Sequence, residues 1–248
     1  MNHSGHAGSG AGAAAVRAAI REAIGLLLPV ACVACGEPDG ALCPACVSRI
    51  GEPPVVPDIG EAFPVWAGAE YDGVVRRAIL ALKNDQRTDV AAALSHVFRR
   101  ALDAALAELP QRVGTVTDLR LATLPSSRAA YRRRGYRPVD SVLRKGGLAA
   151  EHPLRLVRQP HDQVGLGRAG RQRNLGGSLL ASERVAGGSF LVVDDVVTTG
   201  ATLREARRAL DSAGARTVGA VVIAATPLRI LATRQPHSLP SDFLPGAD

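Results

Sequence analysis

The stretch from Ser189 to Ala225 constrains the fold more than any other part of the chain. Ser189 to Val193 is a short apolar run with β-branched residues, too short for a helix and apolar on both alternating faces, as a strand covered on both sides should be. Ala201 to Ala213 then places Leu203, Ala206, Ala209, Leu210 and Ala213 on one helical face, and Gly214 is suited to cap its C-terminus. Thr217 to Ala225 repeats the buried-strand pattern. Strand, helix, strand in this rhythm is a βαβ unit, which implies an α/β fold with a mostly parallel central sheet flanked by helices.

Other segments supply the remaining elements. The pattern predicts strands over Val65 to Tyr71, Val116 to Leu124 and Leu154 to Val157. Helices are expected over Gly73 to Leu82, over Val90 to Leu109 with Pro110 ending it, and over Pro138 to Arg144. Gln159 to Arg184 is polar and rich in Gly and Arg, so it reads as a long excursion from the packed body. Its Gly165 to Gly170 matches G-x-G-x-x-G, but no tight strand-to-helix turn carries the match, and a loop closing over a site fits better. Residues 1–12 read as a disordered start, 13–52 as a helix plus a four-cysteine module, 53–64 as a linker, 65–226 as the main domain and 227–248 as a surface or disordered tail.

The chemistry concentrates at the end of the Ser189 strand. In open α/β sheets ligands bind beyond the carboxyl ends of the strands, and here stand Asp194 and Asp195 followed by Thr198, Thr199, Gly200, Ala201 and Thr202. Two adjacent carboxylates repel one another, but as acceptors they can hold the vicinal hydroxyls of a ribose. The Thr-Thr-Gly-Ala-Thr run offers backbone N–H groups, hydroxyls and close approach at the positive end of a helix, which makes a phosphate cradle. Together they describe a ribose 5-phosphate site. An ordinary capping role would explain one acid or one threonine, not the ordered set.

The four cysteines, Cys32, Cys35, Cys43 and Cys46, form two C-x-x-C pairs with Gly36, Pro38, Asp39 and Gly40 between them. Each pair can reach one ion from a tight knuckle, and four thiolates close a tetrahedral zinc shell with no open position, so the role expected is structural. Two disulfides in an exported protein are the competing arrangement. Arg17 and Arg21 do precede an apolar stretch ending at Cys32, but Glu22 and Pro29 interrupt the pattern an export or lipid-attachment signal needs.

The segment around Asp194 closely resembles the phosphoribosyl pyrophosphate (PRPP) motif of type I phosphoribosyltransferases. With the cysteine knuckle ahead of it, the chain resembles the ComF family of competence-associated, phosphoribosyltransferase-like proteins. Supporting patches are Glu70 to Arg77 leading to Lys83, Leu124 to Arg128, Arg134 to Pro138, and Gln163 to Leu166 followed by Arg171 and Asn174. A single proline, Pro125, stands where the family commonly has a richer proline loop. The resemblance implies a type I phosphoribosyltransferase-like domain with a small N-terminal zinc ribbon. It also implies Asp194 and Asp195 on the ribose hydroxyls, residues 198–202 around the 5-phosphate, and Mg2+ accompanying PRPP. On this reading the chain transfers the phosphoribosyl group to an acceptor that no residue pattern identifies, releasing pyrophosphate, with Arg128 and Lys83 assisting the leaving group. Ser126, Ser127 and Arg128 are the candidates for holding that pyrophosphate.

Net charge decides less. The formal charge is +7, nearly all of it arginine, since Lys83 and Lys145 are the only lysines. The excess favours anionic partners without choosing among them. Arg132, Arg133, Arg134 and Arg137, interleaved with Tyr131 and Tyr136, combine phosphate-binding charge with rings on which bases can stack. A non-catalytic adaptor that binds single-stranded DNA and meets DNA-uptake proteins is therefore the alternative function. No apolar run is long enough to span a bilayer, and a cytoplasmic setting is expected.

Overall fold

The computed structural model describes residues 30–38, 40–59, 63–116, 118–157 and 176–226. The expected helix over residues 13–28, the tail beyond 226 and the G-x-G-x-x-G match lie outside them. Four strands form one sheet: β1 (Val65–Glu70), β2 (Leu119–Thr123), β5 (Ser189–Val197) and β6 (Arg216–Ala225). Their order is β1-β6-β5-β2 and every pairing is parallel, so all four carboxyl ends reach the same edge.

The period-2 pattern decides which face each side chain meets. On β5, Phe190 and Val192 enter one core and Leu191 and Val193 the other. On β6, Ala220 and Val222 join the first while Val221 and Ile223 join the second. Helices α2 (Gly73–Asn84), α3 (Ala91–Val113) and α5 (Pro138–Lys145) cover the Leu191 face, and α6 (Ala201–Ser212) covers the Phe190 face. A one-turn helix, α1 (Pro44–Val47), belongs to the cysteine module, and α4 (Arg128–Arg134) follows the β2 loop. A separate antiparallel pair, β3 (Leu154–Leu156) and β4 (Leu179–Ala181), packs with α6 on the Phe190 face.

Several expectations need correction. Helix α3 runs through Pro110 to Val113 even though the proline forgoes the bond a residue-110 N–H would make to the Leu106 carbonyl, and Gly114 closes the helix with its N–H on the Pro110 carbonyl at 3.2 Å. Strand β2 begins at Leu119, not Val116. The Gln159 to Arg184 segment, read as an excursion, contains β4 and most of a 3-10 turn at Glu183–Val185; the three apolar residues of β4 are too short a signal against their polar neighbours. Strand β5 continues to Val197, so Asp194 and Asp195 sit within the ladder, held by Val196 and Val197 pairing with Ala224 and Ala225. Residues 128–134 are helical, with the Ser127 hydroxyl accepting from the Ala130 N–H at 3.2 Å and Gly135 closing the turn in the left-handed region.

Candidate ribose-phosphate site

The carboxyl edge of the sheet carries a cleft of about 290 Å³. One wall is acidic: Asp194 and Asp195 face Lys83, which α2 presents from its last turn, and Lys83 Nζ lies 2.5 Å from Asp195 Oδ2. The other wall comes from the loop after β2, the end of α4 and the start of α5: Ser126, Ser127, Arg134, Arg137 and Asp140.

Adjacent residues of one strand point to opposite faces, yet both acids line the cleft. The Asp195 N–H donates to Asp194 Oδ1 at 2.8 Å, which turns the first carboxylate back along the strand edge. Burial and then the neighbouring Asp195 carboxylate raise the Asp194 pKa to about 7, against the pull of that N–H and of Lys83. Asp194 thus titrates near neutrality, where an entering cation favours its charged form.

The threonine run leads from β5 into the first turn of α6. Thr198, Thr199 and Thr202 are exposed, whereas Gly200 is buried at the N-cap of α6 with φ +70°. A Cβ at Gly200 would lie 2.6 Å from Ile59 Cδ1, so both backbone angle and space demand glycine. The first-turn amides from Ala201 onward have no intrahelical acceptor and form the positive end of an amphipathic helix. Arg204 steadies the loop by donating from Nη1 to the Thr199 carbonyl at 3.1 Å.

The arginine run divides. Arg134 and Arg137 reach the cleft, while Arg128, Arg132 and Arg133 are exposed on α4 beside Tyr131. Arg128, a candidate for the pyrophosphate loop, is not among the cleft-lining residues. Arg134 Nε also donates to the Lys83 carbonyl at 2.7 Å, and the Tyr136 hydroxyl donates to the Leu82 carbonyl. These two clamps tie the end of α2 to the β2 loop, so Arg134 and Tyr136 are already engaged within the protein.

Sequence reasoning missed Asp140 and His152. Asp140 lines the cleft, His152 Nε2 lies 3.3 Å from Asp140 Oδ2, and His152 Nδ1 lies 2.7 Å from Thr123 Oγ1. The only sequence signal for Asp140 was an acid in the first turn of a proline-started helix, which dipole stabilisation alone explains.

Away from the cleft, the four cysteine Sγ atoms all lie within 4.8 Å of one another, and Cys35 and Cys43 stand 3.6 Å apart. A disulfide needs about 2.05 Å. Four sulfurs on a tetrahedral zinc with bonds of about 2.3 Å would sit about 3.8 Å apart, so the cluster can hold zinc. Burial works against the Cys32 thiolate, but the N–H groups of Cys43, Ala34 and Cys35 outweigh it and lower the pKa to about 6. Cys32, Cys43 and Cys46 are buried against Val74 of α2, and Arg87 Nη2 holds the Ala31 carbonyl at 2.8 Å. No helix among the described residues is long and apolar enough to cross a membrane.

Residues 133–237 match the family model described as the phosphoribosyl transferase domain. The parallel sheet and this match give the chain a type I phosphoribosyltransferase-like fold. No curated protein matches. Solved structures similar to the chain include an allosteric regulatory enzyme of purine biosynthesis, at 20% identity and TM-score 0.31, covering 54% of this chain and 26% of that one. Another is glutamine PRPP amidotransferase from B. subtilis complexed with ADP and GMP, at 21% identity and TM-score 0.29, with the same coverages of 54% and 26%. The chain spans about a quarter of the length of these structures.

Proposed function

We propose that this protein binds PRPP with Mg2+ and transfers the phosphoribosyl group to an acceptor, releasing pyrophosphate. The observation that carries the reading is the cleft's polarity: an acidic wall at Asp194 and Asp195, and a hydroxyl and guanidinium wall at Ser126, Ser127, Arg134 and Arg137. A ribose suits the first and a pyrophosphate the second, with the 5-phosphate at residues 198–202. Mg2+ entering with PRPP would neutralise leaving-group charge, and the hard carboxylate oxygens of Asp194 and Asp195 suit that ion.

As the bond from C1 to pyrophosphate breaks, positive charge grows on the ribose ring. Asp194 and Asp195 stabilise it, while Arg134, Arg137 and Lys83 take up the negative charge of the departing group. Lys83 is paired with Asp195, so ligand entry exchanges one ion pair for another. Titration with PRPP and Mg2+ should saturate the wild type, and Asp194→Ala/Asp195→Ala should lose most of the affinity. A metal-replete wild type that ignores PRPP would defeat the proposal.

A second reading rests on α4, where Tyr131 is 48% exposed beside exposed Arg128, Arg132 and Arg133. With the ComF resemblance, this surface supports a nucleotide or single-stranded-DNA adaptor in DNA uptake or processing, located in the cytoplasm. Of the six residues expected to contact DNA, Arg134, Tyr136 and Arg137 are the weaker members, since they turn toward α2 and the cleft. An oligonucleotide titration beside the PRPP one separates the readings: DNA binding that survives Asp194→Ala/Asp195→Ala belongs to a different surface. On either reading the zinc in the cysteine knuckle is structural.

A further inference from the structure

The cleft contains a proton acceptor that neither the PRPP motif nor the arginine run supplies. Asp140 lines it together with Asp194, and among the described residues Oδ1 of Asp140 is buried without a hydrogen-bond partner. Buried carboxylate oxygens in folded proteins are satisfied as a rule, so this cleft-lining side chain, 23% exposed, keeps acceptor capacity that the protein itself does not use. The other oxygen is satisfied: His152 Nε2 lies 3.3 Å from Oδ2.

The proton on that histidine nitrogen follows from the third member of the chain. Thr123 Oγ1 stands 2.7 Å from His152 Nδ1 and 3.2 Å from the Glu151 carbonyl. Either the threonine hydroxyl donates to Nδ1, or it donates to Glu151 and accepts from an Nδ1–H. The carboxylate 3.3 Å from Nε2 favours the first arrangement, in which the neutral ring carries its one hydrogen on Nε2 and aims it at Asp140. Thr123 is 2% exposed and ends β2, which fixes the imidazole from behind. A first-turn acid that only complemented the α5 dipole would need neither a histidine contact nor a buried free oxygen.

We infer that Asp140 is the general base of the cleft, taking the proton from the acceptor that attacks C1, and that His152 positions it. The inference rests on the PRPP reading above. The acceptor's lone pair forms the new bond to C1, the bond from C1 to pyrophosphate breaks, and its electron pair leaves with pyrophosphate. The acceptor's proton passes to Asp140 and is returned to solvent when the products depart. Water is the smallest acceptor that meets this description and would give ribose 5-phosphate; ammonia would give the amine.

The test uses the zinc-loaded full chain and needs no knowledge of the natural acceptor. PRPP binding with Mg2+ is measured by calorimetry, and pyrophosphate release is followed separately with water or ammonia as acceptor. Asp140→Asn should leave PRPP affinity within about threefold and slow pyrophosphate release on the order of 10²-fold, the usual contribution of a positioned base. Formate should restore part of the rate to Asp140→Ala by replacing the missing carboxylate. His152→Ala should lower kcat with KM little changed, and His152→Gln, which can still donate to Asp140, should recover much of it. Wild-type rates in Asp140→Asn would overturn the inference, as would a wild type that binds PRPP yet releases pyrophosphate to neither acceptor. A wild type that does not bind PRPP overturns the underlying reading first, which the calorimetry registers by itself.

Discussion

Asp194 sits in an environment that its residue type does not prefer. Burial and a second carboxylate hold its folded pKa near 7, above an unfolded value near 3.8. The folded chain therefore binds more protons than the unfolded chain between these limits, and Asp194 makes the protein less stable as pH rises through that window. Asp194→Asn should stabilise the protein by roughly 1–3 kcal/mol at pH 8 and by almost nothing below pH 4. Urea unfolding at the two pH values measures it, and an equal effect at both would remove the charge-repulsion explanation. The motif residues were legible at this scale because their order is unusual and local: two acids, then threonines around a glycine. Asp140 and His152 were not, because Thr123, Asp140 and His152 meet only through tertiary structure. Arg134 was visible as charge, but its bond to the Lys83 carbonyl spans a sequence distance that no local pattern reports.

Among the elements, α6 does more than cover the Phe190 face of the sheet. Its Glu205, 5% exposed, accepts from the Leu179 N–H at 3.0 Å and pairs with Arg208, whose Nη2 donates to the Leu179 carbonyl at 2.8 Å. One helical pair thus satisfies both backbone groups of a strand residue. Burial tends to raise the Glu205 pKa, but Arg208 and the Leu179 and Gly177 N–H groups hold it below its ordinary value. Its stabilisation is present above the unfolded pKa of about 4.5 and is lost as pH falls through the lower folded value. Arg208→Ala strands a buried carboxylate, and because Arg208 is partly solvated the expected loss at pH 7 is about 2–3 kcal/mol. Hydrogen exchange at Leu179 should accelerate with it; unchanged exchange would mean that β4 does not depend on this pair. The helical face of α6 was readable from apolar spacing, and β5 and β6 from their runs. Strand β4 was unreadable because its partner and its support lie elsewhere in the chain.

At the scale of the molecule, the cysteine knuckle and the cleft share one helix. Val74 near the start of α2 is buried with the cysteines, and Lys83 near its end pairs with Asp195. Native mass measurement on a reduced preparation should find one zinc ion, and a strong chelator should lower the melting temperature reversibly. A site filled at 100 times its dissociation constant contributes about 2.7 kcal/mol. If α2 transmits the change, PRPP affinity falls with the metal; a metal-free protein of unchanged stability and affinity would leave the knuckle without a role in the fold. The α/β class and parallel sheet were legible from one βαβ unit, whereas the docking of the knuckle on α2 depends on contacts such as Arg87 with Ala31 that only the folded chain brings together.

The β3–β4 pair leaves one more mark on the molecule. The Val157 N–H donates to the Ser178 carbonyl at 3.0 Å, which carries the pairing of β3 with β4 one step past Leu156 and Leu179, and Leu179 in turn is fastened to α6. Positions 157 and 178, distant in the sequence, are therefore held side by side at a junction that α6 secures. Because the same helix packs through Leu203 and Leu210 in the core that holds Phe190 and Val192 of β5, loosening it would be felt at two places at once, the central sheet and this small strand pair.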